Sequence, residues 1–151
     1  MSNQRFSYLR RLSALALAVC AIAPAVSMAQ EVTVVSIQGM TGPVAFAGGP
    51  FQNGIRMAFE EAAAKGTLGS LKVKLVEADN AGDKGQAINL ANQAIDRDKA
   101  ILVIGPSASH DGVAIAPIFH DKKVPLLAMA TSDALIAPGP YNYKVQQSGA
   151  D

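Results

Sequence analysis

The chain has 151 residues, half of them hydrophobic, with 13 Lys and Arg against 12 Asp and Glu and a single cysteine. Such a balance excludes a coiled coil, a disordered tail and a disulfide scaffold, and fits one near-neutral globular domain. The totals combine two unlike segments, however, and the first has to be set apart.

Residues 1–11 carry Arg5, Arg10 and Arg11 and no acid. Leu12 to Val26 is apolar except for Ser13 and Pro24, and Ser27-Met28-Ala29 supplies small residues at the −3 and −1 positions of a cleavage site. This is the pattern of a secretory signal peptide, with cleavage expected after Ala29 and a destination in the periplasm. The run is short and broken by Pro24, which argues against a retained membrane anchor, so the mature protein is expected not to span a membrane. Cys20 sits where a lipobox cysteine would need Gly or Ala before it, but Val19 is there, so Cys20 reads as a small hydrophobe of the leader. Arg10-Arg11 leaves the choice between the general and the twin-arginine export routes open.

Residues 30–151 then form the second unit, with ten basic residues against twelve acidic ones and no cysteine. A net charge of −2 gives nucleic acid and anionic membranes no electrostatic attraction. A disulfide or a thiolate metal site is not available either.

In chain order, Val32 to Ile37 is a short β-branched run that suits a buried parallel strand. A glycine-rich loop from Gly39 leads to Pro50, a residue suited to a first helical position. Phe51, Ile55, Ala58, Phe59 and Ala62 then fall on one helical face, and Lys65-Gly66 supplies the stop. Leu71 to Ala78 is the second strand. Asp83 and Gln86 have the spacing of an N-cap and its capping-box partner for a helix to about Arg97. Ile101 to Ile104 is the third strand, followed by a helix over roughly 110–121, in which Pro117 predicts a kink or a late start. Val124 to Ala128 and Tyr143 to Val145 complete the strands. The alternation predicts an α/β fold, a doubly wound parallel sheet.

Ligands of such sheets bind beyond the carboxyl ends of the strands. That rule selects the loops Gln38 to Gly49, Asp79 to Gly82, Gly105 to His110 and Ala128 to Asp133. In the third, Ser107 and Ser109 precede a helix whose free N–H groups, with the Ser109 hydroxyl, could hold a carboxylate without a cationic side chain; equally, either serine could serve only as an N-cap. Thr131-Ser132-Asp133 offers a second hydroxyl pair, which turn chemistry alone could also explain.

Enzymatic motifs are missing. Ser109-His110-Asp111 has the residue types of a hydrolase triad, but consecutive helical residues diverge by about 100° and cannot form the relay. Neither a dinucleotide nor a P-loop glycine fingerprint is present, so no cofactor is expected. His110 and His120 have no third His or Cys to complete a zinc site, so no metal is expected.

Gly39-Met40-Thr41-Gly42-Pro43-Val44, Asn53-Gly54, Glu77-Ala78-Asp79-Asn80, Val103-Ile104-Gly105-Pro106 and Val124-Pro125-Leu126-Leu127 occur in order and at characteristic spacing. Together they resemble the N-terminal lobe of the periplasmic leucine/isoleucine/valine-binding proteins, the type I solute-binding components of branched-chain amino acid ABC transporters. The resemblance runs from about Val32 to Val145. It implies a non-enzymatic binder of branched-chain amino acids or of related amino acids and amides, delivering to an ABC transporter permease. Ser109 matches the serine whose hydroxyl and amide hold the ligand α-carboxylate. Ala130 and Thr131 match a backbone carbonyl and a threonine that contact the α-amino group and carboxylate, with Ser132 one residue away. The aromatic that often packs on the ligand side chain falls near Ala47, with Phe46 beside it, which opens the ligand range beyond branched aliphatics. A second lobe of similar size closes the cleft in this family; residues 30–151 are therefore expected to be one truncated lobe of two. A sensor domain of the same fold, acting in signalling, is the alternative.

Overall fold

The computed structural model describes residues 30–148; the leader expected over residues 1–29 lies outside them. Among the described residues there are five strands and three α-helices, in the order β1 (Gln30–Gln38), α1 (Ala45–Ala64), β2 (Leu71–Asp79), α2 (Lys84–Asp96), β3 (Leu102–Ile104), α3 (Ser109–Lys122), β4 (Leu126–Ala128) and β5 (Asn142–Lys144). One-turn 3₁₀ helices precede α1 at Gly42–Val44 and follow β4 at Asp133–Leu135.

The strands form one all-parallel sheet in the order β2-β1-β3-β4-β5, as the doubly wound reading expects. Val34 pairs with Leu75 on one side and with Leu102 on the other, which makes β1 the hinge of the winding. To its left the chain crosses by α1, and to its right by α2 and α3. Right-handed crossovers therefore put α1 on one face of the sheet and α2 with α3 on the other.

Side chains of β1 alternate accordingly. Val35 and Ile37 enter the larger core with Ala87, Ala91 and Ala94 of α2, Ile115 and Phe119 of α3, Val103 and Leu126. The alanine face of α2 lets it lie close to the sheet. Val34 faces α1 with Ile55 and Ile104. Each large aliphatic side chain buried here contributes about 1.5–3 kcal/mol. Ser36 also faces α1, where its hydroxyl donates to Gln52 Oε1 at 2.6 Å, both residues being buried. Toward the rim α1 is tied to β2 by Arg56, whose guanidinium donates to both Glu77 oxygens at 2.8 and 2.7 Å. Tyr143 of β5 and Val145 just beyond it stay half exposed.

The elements end as local chemistry dictates. Asp83 caps α2 by accepting from the Gln86 amide at 2.6 Å. At the end of α1, Gly66 takes φ 68°, Thr67 N–H donates to Ala62 C=O and Gly66 N–H to Ala63 C=O, both at 3.1 Å, a Schellman closure. The same closure ends α3, with Val124 N–H on Phe119 and Lys123 N–H on His120. There the left-handed position, φ 56°, is occupied by Lys123.

One expectation about prolines is corrected, and of the two alternatives for the other the late start is removed. Helix α1 begins at Ala45, so Pro50 lies inside it and the helix forgoes a bond to the Phe46 carbonyl. Of the two glycines before Pro50, Gly48 is required where α1 passes the chain just beyond β1, since a Cβ there would stand 2.2 Å from the Gly39 oxygen, whereas one at Gly49 would meet nothing within 4 Å. Helix α3 runs from Ser109 through Pro117 to Lys122, so the start is not delayed and only the Val113 carbonyl loses its donor.

Replacing Lys123 with Gly removes a left-handed non-glycine residue, a conformation costing about 1–2 kcal/mol. Thermal unfolding of Lys123→Gly is expected to show a net gain of about 0.5–1 kcal/mol after the glycine's greater unfolded-state entropy. Gly48→Ala is expected to lose about 1–3 kcal/mol in the same measurement through its clash with Gly39.

Candidate functional site

Parallel strands end on a common rim, and in the order 2-1-3-4-5 the crevice opens between β1 and β3, where the winding reverses. Three loops meet there, after β1, β3 and β4.

The loop after β3 is Gly105 to Ala108. Ala108 is the N-cap of α3 and its side chain makes no capping bond, so neither Ser107 nor Ser109 is the N-cap. Ser109 is the first helical residue. Gly112 N–H is the first to reach an intrahelical acceptor, Ala108 C=O at 3.1 Å, leaving the amides of Ser109, His110 and Asp111 ahead of the ladder. The Ser107 hydroxyl is buried and without a hydrogen-bond partner.

The loop after β4 comes directly against this turn. Thr131 N–H donates to Ser109 Oγ at 3.2 Å, and the two hydroxyls stand 3.4 Å apart. Ala130 beside Thr131 is buried at 1% exposure. Gly112 makes that fit possible, since a Cβ there would be 2.8 Å from Leu135 Cδ1. Ser132 opens the 3₁₀ turn, its carbonyl accepting from Leu135 N–H at 3.3 Å. From β5, Lys144 Nζ bonds the Asp133 carboxylate and lies 3.4 Å from the Thr131 carbonyl and 2.7 Å from Ser148 Oγ. Lys144 and Ser148 hold the Asp133 carboxyl below the usual range.

The structure thus brings Ser109, Ala130, Thr131 and Ser132 together, while Phe46 stands on the same rim in the first turn of α1, 82% exposed, with Ala47 beside it. Ser109 and Ser132 also share an open depression of about 450 Å³ with Lys84, His110, Val113, Ala114 and Ala134. Its wall therefore includes the cationic Lys84, which sequence reasoning did not place at the site. This depression is the outer flank of the crevice, on the α2–α3 side.

Of the apparent triad, His110 and Asp111 meet, contrary to the divergence expected of consecutive helical residues, and only Ser109 stands apart. Ser109 faces Thr131, while His110 Nε2 stands 3.0 Å from Asp111 Oδ1 and 3.4 Å from the Gly82 carbonyl. Among the described residues no three His, Cys, Asp or Glu side chains gather as a metal site requires. No helix of the described residues is long and apolar enough to cross a membrane.

The loop after β1 is held in place by Asp79 at the end of β2. Its carboxylate accepts from Met40 N–H at 2.9 Å, Thr41 N–H at 3.3 Å, the Thr41 hydroxyl at 2.6 Å and Ala81 N–H at 2.8 Å. Burial pushes this carboxyl up, but the Thr41 hydroxyl and the three amides together outweigh it and leave its pKa lowered. The sequence singled out Asp79 as part of a motif; the signal for its role is an acid at a strand end facing a Thr-Gly turn.

A family model described as periplasmic binding protein matches residues 31–150. The chain is 31% identical over 140 residues to an amino acid binding protein of Pseudomonas aeruginosa, which covers 92% of the chain and 35% of that protein. It is 30% identical over 125 residues to the leucine-specific-binding protein of Salmonella typhimurium, 83% of the chain and 34% of that protein. Among solved structures, the leucine binding protein LivK of Thermotoga maritima superposes with a TM-score of 0.71 at 34% identity, over 78% of the chain and 33% of LivK. The chain spans about a third of the length of these relatives.

Because its folded pKa is lowered, Asp79 contributes stability that is present above the unfolded carboxylate value of about 3.9 and is lost as pH falls through the folded value. Asp79→Asn is expected to cost about 1–3 kcal/mol near neutrality. Denaturant titrations at stepped pH should show the difference from the parent shrinking below about pH 4.

Proposed function

Because the chain belongs to the periplasmic binding protein family, we propose that it forms the N-terminal lobe of an extracytoplasmic solute-binding component of an ABC transporter. The ligands on this reading are branched-chain amino acids or related small amino acids and amides, carried for import. A leader over residues 1–29 directs the chain to the periplasm and is cleaved, residues 30–151 make up the lobe, and a permease receives the ligand.

The observation that carries the reading is the contact of Ser109 Oγ with the Thr131 amide at 3.2 Å, on the rim and at the start of a helix. Ser109, the amides of the first turn of α3 and Thr131 supply neutral donors to an α-carboxylate, reinforced by the positive end of the helix. Lys84, on the outer flank, adds a cation. The Ala130 carbonyl accepts from the ammonium, Ser132 and Ser107 lie within the same pair of loops, and Phe46 is free to pack on a ligand side chain. The chain is a binder and not an enzyme on this reading: the Ser109 hydroxyl engages Thr131 instead of a base.

One lobe gives one wall of a cleft. Carboxylate contacts open to water are weak, and closure by a second lobe is what excludes water. In a titration of the isotopically labelled chain with leucine, valine, phenylalanine or short amides, amide shifts are expected at Ser109–Gly112 and Ala130–Ser132. The expected Kd is about 1 mM or weaker, and Ser109→Ala should weaken it by about tenfold or more. Low-micromolar affinity would refute the half-site argument, and silence with every compound would remove the ligand assignment.

A further inference from the structure

Asp111 is wholly buried, two residues beyond Ser109 on α3. Its Oδ2 accepts from Asn80 Nδ2 at 2.6 Å, and Asn80 is wholly buried as well. Asn80 is itself anchored on both sides. Its N–H donates to the carbonyl of Gln38, the last residue of β1, at 3.0 Å, and its carbonyl accepts from Asp83 N–H, at the N-cap of α2, at 2.7 Å. The side-chain bond thus joins the first turn of α3 to the end of β1 and to the start of α2, by a route that does not pass through β3.

That route bears on orientation. A helix entered from a four-residue loop can rotate about its axis, and a small rotation of α3 would carry Ser109 Oγ out of reach of the Thr131 amide. A carboxylate in a low-dielectric interior binds an amide donor strongly, and removing either partner leaves a buried polar group unsatisfied. The second oxygen, Oδ1, faces the ring of His110 at 3.0 Å.

We propose that Asn80 and Asp111 are positioning residues of the binding site: their bond fixes the rotation of α3's first turn and thereby presents Ser109 to Thr131. The inference rests on the reading of Ser109 as a ligand contact, but its structural half can be measured without any ligand.

The test uses amide hydrogen exchange on the purified chain, with leucine as the added probe. In Asn80→Asp two carboxylates face each other, and the Thr131 amide is expected to exchange about tenfold faster, while Val34 and Val35 in β1 keep their protection. Asp111→Asn, which can re-form a neutral bond, should move Thr131 in the same direction by less. The double exchange N80D/D111N puts the amide on α3 and the carboxylate on the loop, and is expected to restore Thr131 protection to within about twofold. Unchanged Thr131 exchange in folded Asp111→Asn or Asn80→Asp would overturn the proposal, as would a double variant no better than Asn80→Asp. If Asn80→Asp does not fold, Asp111→Asn and the double variant decide alone. Leucine-induced shifts at Ser109 should weaken and recover in parallel with Thr131 exchange. An absence of such shifts in the parent, with exchange responding as described, would remove the ligand reading and leave the positioning bond standing.

Discussion

Parallel pairing obliges the chain to return to the same end of the sheet before each new strand, and that single requirement organises everything on the rim. The first three returns are made by α-helices and the last by a segment with a single 3₁₀ turn, so the carboxyl ends of β1 to β4 each face a turn that leads into the next element. With β1 in the middle and the winding reversing beside it, the loops after β1 and β3 diverge to opposite faces. The crevice between them is a consequence of strand order. The contents of the crevice are set by the loops, and here they are mostly small residues and hydroxyls.

Three acids hold the rim. Asp79 gathers the amides of Met40, Thr41 and Ala81 and so fixes the loop after β1, while Asp111 takes the Asn80 amide and ties α3 to that same corner. Asp133 with Lys144 secures the turn after β4. Each carboxylate gathers a local cluster of donors, and beside them the Thr131 amide meets the Ser109 hydroxyl where the loops after β3 and β4 touch. On the binding reading proposed above, a donor-rich centre of this kind suits a small zwitterion.

Much of the fold was legible because its signals are local. The β-branched run of β1, the Asp83 cap and the Lys65-Gly66 stop each follow from chemistry within a few residues. The start of α1 was not, because Gly48 looks like a loop residue until the helix is seen to cross Gly39, a contact invisible in one dimension. Lys123 likewise carries no glycine to announce its left-handed turn. Pattern reading selected the loops of Ser109 and Thr131 but could not say that they touch, since 22 residues separate them; the family resemblance supplied that pairing. Asn80 and Asp111, 31 residues apart, were missed as partners for the same reason, and Lys84 because its place beside α3 depends on helix packing.

The placement of β1 between β2 and β3 also has a consequence in time. The strand synthesised first cannot complete its pairing until partners roughly 40 and 70 residues downstream have emerged. Hairpins, which could form early from neighbouring residues, have no place in this topology. Collapse must therefore precede the ordered centre of the sheet, and folding belongs to the slow, high-contact-order regime. A slow-setting first strand extends the interval in which the newly made chain stays unfolded.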